Sequence, residues 1–311
     1  MLVSLEKLYL YNLLLVKIKE FKYNKTKKRI KNTIEKTEVI YIVDKTTKSG
    51  LSDRLWGSVS CFIICKKNNI DYKISWTYPF DLTEFLVPNK YNWEVKSNQI
   101  DENKIVYIRN NHNNSIQEKI LKRIIRENNI TKVYGVGHLN RNEFGFYYNY
   151  LFKPSPLLEE SVNKCLKEIN CKYISITFRF QQLLGDFKEI GKSIKDKDKK
   201  QKILEISKKI ISDLYENNKY NQILVTSDST TFLDYIKDLD YVYVIPGNII
   251  HMGFSDDKSL ENHLKSFIDF YMIANADTVY FVKTNLTYHS TFAYTAAKVY
   301  NKPYKIIEAK Y

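Results

Sequence analysis

The chain has 311 residues, 44% of them hydrophobic, with 25 Tyr and 16 Phe but only 9 Gly and 6 Pro. That supports a packed core in about two domains and excludes collagen-like or low-complexity chains. Lys and Arg number 49 against 35 Asp and Glu, a net charge of +14. Much of the excess lies in the polar runs Lys17–Lys36 and Lys192–Lys209, which read as solvated helical faces first and binding patches second. Nucleic acid is therefore disfavoured as a partner, and a basic pocket for an anionic ligand fits the charge equally well.

Along the chain, residues 1–35 read as a helical lead-in. The apolar stretch Leu8–Val16 is too short to span a bilayer, and no signal-peptide cleavage pattern follows it. An amphipathic helix packed on the protein is favoured over one lying on a membrane surface, and the expected location is cytoplasmic. Glu38–Val43 is a strong strand, Lys45–Ser52 a polar loop, and Asp53–Asn68 a helix with Leu55, Val59, Phe62 and Ile63 on one face. Short strands are expected at Lys73–Trp76, Lys104–Ile108 and Thr131–Gly135, with a helix at Ser115–Asn128.

Leu151–Pro156 carries two prolines before the helix Leu157–Asn170 and is the best candidate boundary, giving domains 1–155 and 156–311. Strands then follow at Lys172–Phe178, Gln222–Thr226, Tyr241–Ile245, Thr278–Val282 and Tyr304–Ile307. Helices alternate with them at Asp198–Glu216, Ser229–Leu239, Leu260–Ala274 and Thr291–Tyr300. This rhythm predicts an α/β chain of two Rossmann-like domains with a cleft between them. Neither half opens with GxGxxG, and the lone Gly135-Val-Gly137 reads as a turn, so a nicotinamide dehydrogenase is disfavoured. Cys61, Cys65, Cys165 and Cys171 show neither CxxC spacing nor neighbouring histidines. They read as thiols of a reducing compartment, with one disulfide left open.

Four loops at strand ends carry the chemistry. In Gly50-Leu51-Ser52-Asp53-Arg54, Gly50 permits a tight turn and the helix that follows presents free N–H groups to an anion, although Asp53 reads equally as a cap. Arg179 ends a β-branched run, Tyr173–Thr177, at the carboxyl edge of a buried strand. A guanidinium there needs either an anionic ligand or a carboxylate partner. Thr226-Ser227-Asp228-Ser229 suits ribose or phosphate contacts, or a helix cap. Ser290-Thr291-Phe292 precedes a helix whose N-terminus favours phosphate, and again a cap is the alternative. Asp269 lies within an apolar helical stretch, where it is costly unless a lysine or a ligand donor pairs with it. The loop histidines His138, His251 and His289 read as structural more readily than catalytic.

In order and placement these segments resemble the fucosyltransferase superfamily of GT-B glycosyltransferases, which includes α-1,6-, nodulation and protein O-fucosyltransferases. Gly50-Leu51-Ser52-Asp53-Arg54-Leu55 is similar to its N-terminal Gly-rich turn, and Trp76–Trp93 also has the look of this group. Thr177-Phe178-Arg179 stands where the family has His-x-Arg. Val225-Thr226-Ser227-Asp228 and Asp269 with Ser290-Thr291-Phe292 resemble its later motifs. Thr177 in place of His, and Gln182 where a carboxylate often follows, depart from the pattern.

The resemblance implies a GT-B fold and inverting transfer of fucose from GDP-fucose to a glycan or glycoconjugate, with no metal or cofactor. It implies donor binding by Gly50, Arg54, Arg179, Asp228, Asp269, Ser290, Thr291 and Phe292, with Arg179 on the diphosphate and Asp269 on the guanine. Catalytic work would fall to Arg179, with Asp53, Glu143 or Asp186 as the base. Trp76, Tyr78 and Trp93 could stack on acceptor sugars or belong to the core. The alternatives are another nucleotide sugar, or a non-catalytic binder of anionic ligands or nucleic acid on the same scaffold.

Overall fold

The computed structural model describes residues 38–47, 49–95, 105–107, 130–134, 142–186, 193–218, 220–250, 252, 257–287 and 289–311. The lead-in helix, the Ser115–Asn128 helix, the Gly135–Gly137 turn, His138 and His251 lie outside the described residues. The chain divides into two units, one drawn from 1–47, 54–77 and 91–141, the other from 48–53, 78–90 and 142–311.

The first unit is a four-stranded parallel sheet in the order β2-β1-β5-β4. Its strands are β1 (Glu38–Val43), β2 (Asp71–Trp76), β4 (Ile105–Tyr107) and β5 (Ile130–Tyr134). Glu-Val-Ile-Tyr-Ile-Val is buried over its last five positions, as a central parallel strand covered on both faces requires. Between β1 and β2 runs helix α1 (Leu51–Lys67). Leu55, Trp56, Val59, Phe62 and Ile63 are buried, so its apolar residues sit where the helical period put them. The helix begins at Leu51, two residues before the sequence-based start, which puts Asp53 inside the first turn rather than at the cap.

The second unit holds a five-stranded parallel sheet in the order β11-β10-β7-β8-β9. Its strands are β7 (Tyr173–Phe178), β8 (Gln222–Ser227), β9 (Val242–Tyr243), β10 (Val279–Thr284) and β11 (Tyr304–Ala309). Helices α3 (Pro156–Ile169), α4 (Lys197–Glu216), α5 (Thr230–Ile236), α6 (Leu260–Asn275) and α7 (Phe292–Val299) connect them. Central β7 is buried at every position. Its side chains join a core with Phe180, Ile211, Val225, Phe232 and Val282. The region expected as a five-residue strand at Tyr241–Ile245 has only two paired residues in β9, an edge strand.

Leu151–Pro156 is not the division between the units. Phe152–Pro154 forms β6, paired antiparallel with β3 (Leu86–Pro88). Ser155 N–H donates to the Phe85 carbonyl at 2.8 Å, and its hydroxyl donates to the Glu84 carbonyl at 2.7 Å. The segment 78–90 thus belongs to the second unit, though 61 residues lie between Lys90 and Phe152. The helix expected after it is present as α3: Ser155 caps it, Pro156 occupies its first turn, and Asn170 closes it in the left-handed conformation.

Helix α2 (Phe144–Leu151) packs against the end of α7. Gly145 makes that approach possible, because a Cβ there would collide with the Lys298 carbonyl oxygen, a backbone atom with little room to yield. Gly145→Ala is expected to cost about 1–3 kcal/mol by overpacking, read as a lower urea midpoint with unchanged slope. An unchanged midpoint would mean that the two helices separate freely.

Candidate functional site

The candidate site is built at the carboxyl ends of β7 and β8. These neighbours run parallel in register, Thr177 opposite Thr226 and Phe178 opposite Ser227. Side chains alternate along a strand, so the paired threonines meet on one face, their hydroxyls 2.8 Å apart. The two loops that leave the strands therefore start side by side.

Asp228, the first residue after β8, reaches under the turn that follows β7. One carboxylate oxygen accepts from Phe180 N–H and the other from Gln181 N–H, each at 2.7 Å. The second oxygen also lies 2.9 Å from Arg179 Nη1. The two side chains are 12% and 6% exposed, so this pair is shielded from screening by solvent. Gln181 takes a φ of 56°, and the carboxylate grips that uncommon left-handed turn on both N–H groups ahead of it. Burial pushes the Asp228 carboxyl above its ordinary range; Arg179 and the two N–H groups oppose that rise.

Asp186 lies in the same neighbourhood. One of its oxygens accepts from Ser229 Oγ at 2.8 Å and from Thr231 N–H at 2.7 Å. It therefore holds the first turn of α5, whose N-cap is Ser229. The structure thus brings together Arg179, Asp228 and Asp186, all named from the sequence. It adds Gln181, which the sequence does not single out, and gives Ser229 the cap role that was one of the two open to its loop.

The remaining residues fall elsewhere. Asp269, on α6, receives both hydrogen bonds of its carboxylate from Lys265 Nζ, at 2.7 and 2.6 Å. Of the two partners open to it in the sequence, the lysine is the one present. Burial raises its pKa and Lys265 opposes the shift. The i,i+4 spacing of Lys265 and Asp269 on one helix was the available signal for this pair.

Ser290 Oγ accepts from Phe292 N–H at 3.3 Å. Thr291 stands at the N-cap of α7 without a side-chain cap bond, and its hydroxyl lies 3.2 Å from that of Ser52. Ser52 and Thr291, both of the second unit, are thereby joined, adjacent in sequence to Gly50 and Ser290. Phe292 packs edge-on against Phe270 at 5.7 Å.

Arg54 belongs to the first unit and is fully buried. It donates to the Thr47 carbonyl at 3.1 Å and lies over the Trp76 ring at 5.6 Å, a stacking that guanidinium favours. Trp76 and Trp93 are core residues at 2% exposure. Glu143 sits at the N-cap of α2 without a side-chain cap bond. His289 packs edge-on against Phe281, and burial lowers its pKa. All four cysteines are free thiols. Among the described residues no group of three or more His, Cys, Asp or Glu is placed to hold a metal ion, and no helix is long and apolar enough to cross a membrane.

No protein-family model and no curated protein matches this chain. Solved structures do. A NodZ α-1,6-fucosyltransferase soaked with GDP-fucose superposes with a TM-score of 0.58 at 13% identity, over 85% of this chain and 93% of its own. Fucosyltransferase NodZ from Bradyrhizobium gives 0.57 at 15%, over 84% and 92%. The fold is the one these fucosyltransferases share. A mutant of Arabidopsis thaliana FUT1 in complex with GDP matches it as well, at 0.58 and 12% identity over 89% and 71%. The fucosyltransferase fold is thus kept at identities where individual side chains have largely changed.

Removing the carboxylate tests its structural weight. Asp228→Ala leaves Arg179 and two turn N–H groups without this acceptor, and is expected to cost about 3 kcal/mol in urea unfolding at neutral pH. A loss below about 1 kcal/mol would show that water satisfies the turn as well as the carboxylate does.

Proposed function

We propose that this protein is a glycosyltransferase that transfers fucose from GDP-fucose to a glycan or glycoconjugate acceptor, with inversion and without a metal. The observation that carries the proposal is Arg179, at the carboxyl end of the central strand of a fucosyltransferase fold, oriented by Asp228. Ligands of open α/β sheets bind at that edge of the strands. Solved proteins of this fold hold GDP or GDP-fucose, which supports a guanosine diphosphate donor here.

In this reading Arg179 binds the donor diphosphate and offsets the negative charge that grows on departing GDP. Asp228 is a positioning residue. Its oxygens are engaged with Arg179 and the turn, so it acts on the donor by fixing where the guanidinium points. Ser290 and Thr291, at the start of α7, contribute hydroxyls and the helix N-terminus to the phosphates, and Gly50 keeps the neighbouring loop close. An inverting transfer needs a base for the acceptor hydroxyl; Asp53 and Asp186 are the carboxylates proposed for that step.

Thermal shift against a nucleotide panel tests the donor, because a ligand of the folded state must raise its stability. GDP and GDP-fucose are expected to raise the melting temperature and UDP-sugars to leave it unchanged. The reverse pattern would remove the fucosyl reading. Arg179→Ala is expected to weaken GDP binding by about 10- to 100-fold, the weight of a lost charge-assisted contact. Wild-type affinity in that variant would make Arg179 structural.

A pH series gives a separate check. With its pKa raised by burial, Asp228 takes up a proton at a pH above the ordinary 3.8. Protonation releases Arg179 from its ion pair. GDP affinity is therefore expected to fall as pH drops towards that value, starting earlier than ordinary carboxylates would dictate. An affinity independent of pH down to 3.8 would separate Asp228 from donor binding.

A further inference from the structure

The second unit carries a surface pocket of about 510 Å³ where α2 meets the end of α7. We propose that it is a carbohydrate-binding site, separate from the anion site at Arg179 and independent of which donor that site takes.

Its position follows from topology. Strand β10 runs parallel to β7, and α7 returns from the carboxyl end of β10 towards the opposite edge of the sheet. Ser290 and Thr291 stand at the start of α7, while Lys298, Val299, Tyr300 and Asn301 line the pocket at its end. Eight helical residues set these ends about 12 Å apart. Arg179, at the carboxyl edge of β7, lies on the side where α7 begins.

The floor is preformed. Asn149 Nδ2 donates to the Gly145 carbonyl at 2.8 Å and to the Val299 carbonyl at 2.7 Å, which ties α2 to α7. Asn89 Nδ2 donates to the Asn149 carbonyl at 2.6 Å, and Lys90 N–H donates to the Tyr150 carbonyl at 2.9 Å. With Gly145 in close contact with Lys298, the walls cannot collapse onto one another.

The lining selects the ligand. Phe146 is 69% exposed and Tyr300 42%, both among the exposed large apolar side chains of the described residues, and both line this pocket. One exposed aromatic is ordinary; a pair flanking a concave surface rich in amides is a recognition surface. Phe146 lies nearly parallel to Tyr150, 22° apart at 6.4 Å between centroids, so its ring is braced from the side. Asn142 and Asn301 join Asn89 and Asn149 in the lining. The NH2 groups of Asn89 and Asn149 are engaged in the floor, but Asn142 and Asn301 each offer a carbonyl acceptor beside an NH2 donor, which matches a pair of vicinal hydroxyls, and a ring face covers the C–H face of a pyranose.

No Asp or Glu is among the described lining residues, whereas Lys90 and Lys298 are. That combination turns away cationic ligands and accepts neutral or acidic sugars. A lipid-binding wall would be mainly aliphatic, and this one is amide and aromatic.

The test uses the full chain with maltohexaose, a β-linked glucose hexamer and a heparin-derived hexasaccharide, read by saturation-transfer NMR and calorimetry. At least one is expected to bind. Phe146→Ala and Tyr300→Ala, both at exposed positions, should weaken that binding about tenfold or more at unchanged melting temperature. Arg179→Ala should bind the saccharide as wild type does, and GDP should not compete. Three results would overturn the proposal: no saccharide binding at about 10 mM, equal binding by Phe146→Ala and wild type, or loss of binding in Arg179→Ala. Capture by anionic lipid vesicles, lost in Phe146→Ala and with no saccharide bound, would assign the surface to lipid instead. Donor binding is measured separately, so either reading can fail alone.

Discussion

The candidate site depends on one buried carboxylate. Taking Asp228 out of water costs several kcal/mol, and three contacts offset that cost: the N–H groups of Phe180 and Gln181 and the guanidinium of Arg179. The arrangement solves several problems together. The left-handed turn at Gln181 is held, a cation at the end of an apolar strand is paired, and the direction of that cation is set by a rigid neighbour instead of by its own flexible stem. Preorganisation of this sort is what a group meant to meet developing charge requires.

The sheet makes the carboxylate available. In a parallel pair, neighbouring strands end at the same edge, so loops distant in sequence become adjacent without further design. Thr177 and Thr226 are register partners 49 positions apart, and their hydrogen-bonded hydroxyls lie one rung before the strands end at Phe178 and Ser227. Asp186 then fixes the start of α5 through Ser229 and Thr231, which anchors the loop that carries Asp228 from its far side. The chemistry sits on strand ends and helix starts, and the buried strands β7 and β8 limit how far either loop can drift.

Much of this was legible because local rules and the global fold agree. Burial on both faces made β1 and β7 largely β-branched or apolar runs, and the helical period of Leu55, Val59, Phe62 and Ile63 announced α1. The losses have physical causes too. The antiparallel pair β3–β6 joins short segments of three residues from distant parts of the chain, and no periodicity survives in three residues. A proline-bearing stretch that reads as a boundary was instead tied to Glu84 and Phe85. A lysine partner for Asp269 was open in the sequence beside a ligand donor, and Lys265, one helical turn before it, takes that place. Arg54 had the sequence context of an anion-binding loop, and its enclosure against Trp76 depends on contacts that no local pattern encodes.

By itself the sequence determined the alternating α/β order, the parallel sheets and the presence of polar loops at their ends, since these follow from periodicity, capping and the pairing needs of the backbone. It also named Arg179 as a cation in need of an anion. Only the tertiary structure decided that Asp228 meets it, that Asp269 is held by Lys265, that Arg54 is interior, and that Phe146 and Tyr300 flank one amide-lined pocket. Each of those outcomes is a distance between residues far apart in the chain or a choice among equally suitable partners, and burial and packing settle such choices where residue type leaves them open.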